Sequence, residues 1–243
     1  MTISNNRPRR VGPETAKSYQ EKIASGFWQK YLTGPNVLEI GFDGGVGAET
    51  IFPYVIGIDK DYPGYDGIHL PFDSESQDAV YASHVYEHIT DWQTALQEWY
   101  RVLRVGGHLI IAVPHVWLYE KKPDLPSKYN KDHKRFYAPY NLLHEVWQAL
   151  PHLGYRIRHF CDNDLNWDDG WRPVAVPEPV EKLHFAGKDQ EFKGQDGRNA
   201  KILSAGEMYP SNGCYEIEMV LEKTTVPEWI KYTFQGRREL GRS

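Results

Sequence analysis

The stretch NVLEIGFDGG, Asn36 to Gly45, decides how the rest of the chain is read. Val37-Leu38-Glu39-Ile40 is a short apolar run of the kind that makes a buried strand, and it ends in a glycine cluster. Glycines after a strand let the backbone come close to a ligand that a Cβ would exclude. The spacing is not the G-x-G-x-x-G of a dinucleotide loop, and Asp43 would put a negative charge beside a pyrophosphate. The loop therefore fits a ligand that carries no phosphate at that place. Working outward, Val55 to Ile58 reads as a second buried strand ending at Asp59. A carboxylate there, twenty positions after Glu39, can accept hydrogen bonds from both hydroxyls of a ribose. Together these features suggest a nucleoside carrying a non-phosphate, preferably cationic, group.

Further along, Ala79 to Ser83 is a strand candidate. Asp91 to Val105 reads as a helix that Asp91 can cap, with Trp92, Ala95, Leu96, Trp99, Val102 and Leu103 in one apolar stripe. Gly106-Gly107 ends it, and His108 to Val113 forms the next strand. Strand and helix thus alternate from residue 37 to 113, which argues an α/β fold with a largely parallel sheet. In such sheets ligands sit beyond the carboxyl ends of the strands, at Gly41 to Gly45, Asp59, Ser83 to His88 and Pro114-His115.

Other segments fill in around this core. An amphipathic helix is expected over Glu14 to Leu32, with Tyr19, Ile23, Phe27, Trp28 and Tyr31 on its apolar side, and a short helix near Val46 to Phe52. Another is expected over Pro139 to Leu150, with Leu143, Val146, Trp147 and Leu150 on one face. Tyr155 to Phe160 and Tyr215 to Glu222 read as late strands, the second alternating like a half-exposed antiparallel edge. Cys161 to Gly213 between them is long, irregular and rich in Pro, Gly, Asp and Trp.

Composition excludes several classes. A formal net charge of -5 over 243 residues gives no electrostatic reason to expect nucleic-acid binding. The basic runs Arg7, Arg9, Arg10 and Arg237, Arg238, Arg242 read as solvated tails. No apolar stretch approaches the ~20 residues that cross a bilayer, and the N-terminus has no apolar core of a secretory signal. Cys161 and Cys214 lack a C-x-x-C partner, which argues against a cysteine-based zinc site and for a reducing, cytoplasmic compartment.

VLEIGFDGG, VIGID, LPFDSESQDAVYASHVYEHI and YRVLRVGGHLIIAVP resemble, in order, successive motifs of class I S-adenosylmethionine-dependent methyltransferases over residues 36 to 114. The resemblance implies a Rossmann-like, seven-stranded, mostly parallel sheet with an antiparallel last strand and helices on both faces. It implies S-adenosyl-L-methionine as cofactor. Glu39, Gly41 and Gly45 would lie under the methionine part, and Asp43, first read as an obstruction, suits a sulfonium with an ammonium nearby. Asp59 would hold the ribose, Asp66 would sit near the adenine amino group, and Ser83 and His84 would line the floor. The sequence departs from the family at Asp43, where a glycine is common, and in the Asp59 to Asp66 interval, too short for the usual helix.

Asp132 to Leu143 resembles the H-x-x-F-x-x-P-x-x-L stretch of many methyltransferases acting on small molecules and glycans, carried here by His133, Phe136, Pro139 and Leu142. His133 is the candidate general base for an acceptor hydroxyl, since an unshifted imidazole titrates near ~6.5, with a structural histidine as the alternative. No metal is expected. Should there be one, the resemblance makes Glu87 and His88 the candidates, since the Glu-His pair of VYEHI is similar to one that helps hold a divalent ion in some quinone-type O-methyltransferases. The two reach a common ion only if the chain turns here, with Asp162, Asp164, Asp168 and Asp169 as further oxygen donors. Trp167 and Trp171 offer aromatic faces to a sugar, or staple the loop to the core.

The expected whole is one methyltransferase domain over 1–243. It divides into a helical cap (1–33), a cofactor-binding core (36–160), an insertion that is a candidate substrate lid (161–213), the last strand (214–223) and a tail (224–243). The reaction read from these features is O-methylation of a small-molecule or saccharide acceptor, with no nucleic-acid partner and no membrane insertion. The alternatives are N- or C-methylation of a metabolite, or a non-catalytic module that only binds the cofactor.

Overall fold

The computed structural model describes residues 9–42, 47–127, 129–167, 190–193, 199–202, 208–210 and 213–225. Asp43, Gly45, Asp168, Asp169, Trp171, Arg7 and the C-terminal arginines, each singled out from sequence, lie outside them. Six strands build the main sheet: β1 (Val37–Ile40), β2 (Ile56–Ile58), β3 (Gln77–Ser83), β4 (Leu103–Pro114), β5 (Tyr155–Asn163) and β9 (Glu216–Lys223). Their order is β2-β1-β3-β4-β9-β5. The β1, β2, β3 and β4 pairings are parallel, while β9 runs antiparallel to both its neighbours. β6 (Gln190–Lys193), β7 (Asn199–Ile202) and β8 (Met208–Pro210) form a separate antiparallel sheet within the segment read as irregular.

The sheet is α/β, as expected, but its described strands number six rather than seven. From Asp59 to Leu70 the chain makes turns and no strand, so β2 stays at the edge. β9 is not the half-exposed edge its alternation suggested. It lies between β4 and β5 with both faces covered; β5 is the exposed edge.

Alternation along the strands sends side chains to two faces. One face carries Leu38, Ile40, Val80, Ala82, Leu109, Ile111, Ile217 and Met219 against the helices α3 (Trp92–Val102) and α4 (Pro139–Ala149). α3 forms over most of the expected span because Ala95, Leu96, Trp99 and Val102 recur at helical spacing, and the Asp91 carboxylate caps it by accepting the Thr94 N–H at 3.2 Å. It ends at Val102 rather than Val105, since Leu103 to Gly107 already belong to β4. α4 is rotated from the sequence reading: Leu142, Val146 and Ala149 are inside, whereas Trp147 is 52% exposed.

The opposite face carries Val37, Ala79, Tyr81, Ile110 and Val220, packed by Tyr19, Trp28, Tyr31, Ile51 and Phe52. The single helix expected over Glu14 to Leu32 is two, α1 (Pro13–Ala24) and α2 (Phe27–Tyr31). Gly26 separates them at φ 76°, a left-handed conformation that closes α1. The short helix expected up to Phe52 does not form over 47–52. Its N–H groups are taken elsewhere: Glu49 donates to the Arg10 carbonyl at 2.6 Å and Ile51 to the Glu39 carboxylate at 2.8 Å. The same contacts correct the reading of a solvated basic tail, since Arg9 donates to the Thr50 carbonyl at 2.9 Å.

Candidate active site

The cofactor rim follows from strand register. Ile40 pairs with Ile58 on one side and Ala82 on the other, so the residues after them, Gly41, Asp59 and Ser83, end side by side. The chain steps from β1 to β2 on one side and then crosses back to β3 on the other, so the order reverses between β1 and β3, and such a switch point opens a crevice at the carboxyl ends. Gly41 has φ 77°, and a Cβ on it would lie 2.8 Å from the Val85 side chain. Only glycine satisfies both conditions there. Glu39 points into the protein beside this loop, and burial raises its carboxyl to about 7 against the Ile51 N–H and Arg9, which favour its charge. Asp59 is half-buried, with the Lys60 N–H on its Oδ1 at 2.6 Å. Asp66 is exposed, and both its oxygens serve its own loop: Oδ1 accepts from Ile68 and His69 N–H, and Oδ2 lies 2.8 Å from His69 Nδ1.

Ser83 is followed by His84 at φ 53° and then by a 3-10 turn, Tyr86–His88. This is the turn that Glu87 and His88 needed in order to face one point. His84 does more than line a floor. Its Nε2 lies 3.1 Å from Glu216 and 3.7 Å from Glu14, and its Nδ1 lies 3.9 Å from Glu87. Burial alone would lower its pKa; the Glu14, Glu216 and Glu87 carboxylates outweigh burial and raise it.

The loop carrying His133 is bound tightly to that turn. The Lys134 N–H donates to the Glu87 carbonyl at 2.9 Å. The Arg135 guanidinium donates to the carbonyls of Tyr86, at 2.6 Å, and Ile89. It also stacks over the Tyr86 and Tyr137 rings, 5.0 and 5.7 Å from their centroids, and pairs with Glu145 at 3.3 Å. His133 is buried, and its Nδ1 lies 2.6 Å from Glu120 Oε1. A carboxylate only accepts, so Nδ1 carries the proton and Nε2 presents its lone pair. The second Glu120 oxygen is held by the Ser127 hydroxyl at 2.7 Å. Sequence reading missed Glu120, Ser127 and Arg135; no local spacing marks them, because a five-residue π-helical turn, Val116–Glu120, presents Glu120.

Other candidates lie apart. Asp162 faces His115 at 3.6 Å and not the Glu87-His88 turn. The Lys121 ammonium sits 5.1 Å from the centroid of Trp167, a staple of the kind weighed from sequence. Among the described residues, no helix is long and apolar enough to cross a membrane.

Comparison with known proteins gives the same fold. A methyltransferase-domain family matches residues 60–111, from just after β2 through most of β4. A probable S-adenosylmethionine-dependent methyltransferase of Mycolicibacterium smegmatis is 33% identical over 111 residues, 38% of this chain and 43% of the relative, so the match spans less than half the relative's length. The solved YcgJ protein of Bacillus subtilis superposes with a TM-score of 0.50 at 16% identity, covering 85% of this chain and 97% of that one. A putative methyltransferase of Bacillus halodurans gives 0.46 at 17% identity, over 83% and 98%. Residues 60–111 thus match a methyltransferase domain, and the fold is that of a solved Rossmann-like α/β neighbour, in line with the strand-end motifs that resemble class I S-adenosylmethionine-dependent methyltransferases.

Proposed function

We propose that the chain methylates a hydroxyl of a small molecule or glycan intermediate, with the acceptor seated over the turn that brings Glu87, His88 and His133 together. The observation that carries this reading is the His133–Glu120 pair at 2.6 Å, which leaves Nε2 of a buried imidazole as a proton acceptor beside the Glu87-His88 turn. S-adenosylmethionine, when bound, supplies an electrophilic methyl group on a sulfonium. The chain's own work is to hold that cofactor, align the acceptor oxygen and take its proton. Asp59 binds the ribose hydroxyls, Gly41 with Asp43 and Gly45 accommodates the methionine part, and Glu39 braces the loop through Ile51. Ser83 and His84 form the floor, and the Asp66 loop shapes the adenine end. The proton leaves to His133 Nε2, while Glu120 stabilises the resulting imidazolium through Nδ1. The 161–213 segment is the proposed substrate lid, and the proposed setting is cytoplasmic.

Incubating the protein with methyl-labelled S-adenosylmethionine and a fractionated cell extract is the deciding experiment. A labelled product bearing a new methyl ether supports the reading. Label on nitrogen or carbon replaces it with the alternative chemistry, and cofactor binding without any labelled product leaves only a binding module. Two variants assign the roles. Asp59→Ala should weaken cofactor affinity at least tenfold by calorimetry, and undiminished affinity removes the ribose role. His133→Ala should keep cofactor affinity and lose ~10²-fold or more in turnover; retained turnover refutes the base.

A further inference from the structure

Glu87 is 1% exposed, and neither of its carboxylate oxygens has a hydrogen-bond partner. A buried carboxylate left in that state is costly unless something positive answers it. Histidine nitrogens surround it at non-bonding distance. His88 Nε2 is 3.7 Å and His133 Nε2 3.9 Å from Glu87 Oε1, too far for hydrogen bonds. These three donor atoms lie within 4.8 Å of one another. Ligands about 2.1 Å from a tetrahedral zinc stand roughly 3.4 Å apart, so the two Glu87 edges have a few tenths of an ångström to close, and the edge between the imidazoles, within 4.8 Å, closes by side-chain rotation of the half-buried His88.

The outer contacts prepare the nitrogens for this. His88 Nδ1 faces Asp132 Oδ2 at 3.1 Å and His133 Nδ1 faces Glu120 Oε1 at 2.6 Å. Each carboxylate fixes the proton on Nδ1 and turns the Nε2 lone pair towards Glu87, the arrangement that orients histidine ligands around metals. The Lys134 to Glu87 backbone bond and the Arg135 clamp hold the two limbs in register. His88 is half-buried, which leaves a route in from solvent.

We propose that Glu87, His88 and His133 bind one divalent transition-metal ion of the zinc class, through two imidazole nitrogens and one carboxylate oxygen. Nitrogen donors select such ions over magnesium or calcium, which take oxygen shells. Three protein ligands leave a fourth position open, as catalytic rather than structural sites do. The site does not depend on the proposed methyl transfer; its catalytic use does. With the ion in place the His133 Nε2 lone pair is a ligand, and the base role given to it above applies only to the metal-free protein. A hydroxyl bound at the open position would instead be acidified by the cation and lose its proton to water.

The test reads metal, not activity, so its failure and that of the methyl-transfer reading are separable. The full-length protein, stripped with a chelator and dialysed, is titrated with zinc ion by calorimetry, and with cobalt ion in the visible. About one equivalent per chain should bind, with cobalt bands of a four-coordinate, nitrogen-containing site. Glu87→Gln and His133→Gln should abolish it, and Glu120→Gln should weaken it ~10–100-fold. His159→Gln, in the other cluster of His159, Cys161 and Glu218, should change nothing. Circular dichroism checks each variant's fold, and His88→Gln, at a more exposed position, replaces any that fails to fold. No zinc binding, binding that survives Glu87→Gln, binding lost in His159→Gln, or magnesium competing on equal terms each overturns the proposal.

Discussion

Helices α1 and α3 pack against opposite faces of one sheet and bury opposite kinds of surface. Under α3 the contact is apolar throughout, with Ala95, Leu96, Trp99 and Val102 all fully covered. Under α1 the covered residues are Glu14, Thr15, Ser18, Tyr19 and Lys22. They meet a polar layer on the sheet: Lys22 pairs with Glu218 and lies 3.7 Å from Glu216, and the Tyr215 hydroxyl donates to Glu14 at 2.7 Å. Asn163 donates to Glu216 at 2.6 Å. Burial would neutralise these groups singly. Together, Lys22 and His84 hold Glu216 down to about 2, and Glu216 with Glu218 drives Lys22 above its usual range. The difference teaches that one face is held by transfer of surface from water, and the other by mutual compensation of charge, in which no member can be removed alone.

Substitutions can break or sharpen that contrast. The largest effects should come from removing one charge on the α1 face. Lys22→Ala strands two buried carboxylates and should cost ~3–5 kcal/mol in chemical denaturation. Trp99→Ala under α3 should cost a similar ~3–5 kcal/mol, so size does not separate the faces but repair does. Adding Glu216→Leu and Glu218→Leu to Lys22→Met should recover most of the loss, because the desolvation cost disappears with the charges. A triple variant as unstable as Lys22→Ala would mean the layer does more than balance itself.

The pH dependence should divide the faces too. Glu216 is depressed to about 2 from 4.5. For an acid lowered by folding, the stabilisation is complete above pH 4.5 and is lost as pH falls towards 2, by on the order of 3 kcal/mol. That slope should vanish in the apolar triple variant and persist in Trp99→Ala. Glu39 has the opposite sign. Its carboxyl is raised to about 7, so the folded state loses stability as pH climbs from 4.5 to 7. Glu39→Gln should therefore stabilise the protein by ~1–3 kcal/mol above pH 7, while calorimetry shows weaker cofactor binding. A gain in stability without that loss would make Glu39 a structural residue.

The smaller effects address the ends and outer sides of the helices. Asp91→Ala removes the cap of α3 and should cost ~1 kcal/mol. Ile23→Gln should change stability by no more than ~0.5 kcal/mol, because Ile23 is 37% exposed although its apolar character marks it for the core. A cost of several kcal/mol would mean that α1 turns its apolar side inward after all.

What was legible in the sequence divides along the same line. α3 was readable because its stripe and cap are local, each residue within four of the next. β1, the Gly41 turn and Asp59 were readable because an apolar run, a glycine and a strand-end carboxylate each report a local backbone need. The first helix was legible in part: Tyr19, Phe27, Trp28 and Tyr31 pack in or against the core as their spacing suggests. Hydrophobic periodicity cannot, however, register the polar contacts of α1, whose partners lie about 200 residues away in and just before β9, as Tyr215 is from Glu14. β9 was misread as an edge for the same reason: Glu216 and Glu218 look solvent-facing until Lys22 covers them. Of the residues proposed for the site, His133 was singled out through a resemblance of its motif. Glu120 was not, since its place beside His133 depends on the π-helical turn and the Ser127 hydroxyl.

The sequence by itself determined the alternation of strand and helix, the residues at the strand ends and the cofactor family they resemble, because those signals are carried by neighbours along the chain. Only the tertiary structure decided that the sheet holds six strands among the described residues, that β9 lies inside it, and that α1 turns its charges inward. It alone brings the unpartnered Glu87 between His88 and His133. The cost of a buried charge depends on what surrounds it in space, and at these positions the surroundings come from segments far apart in the chain.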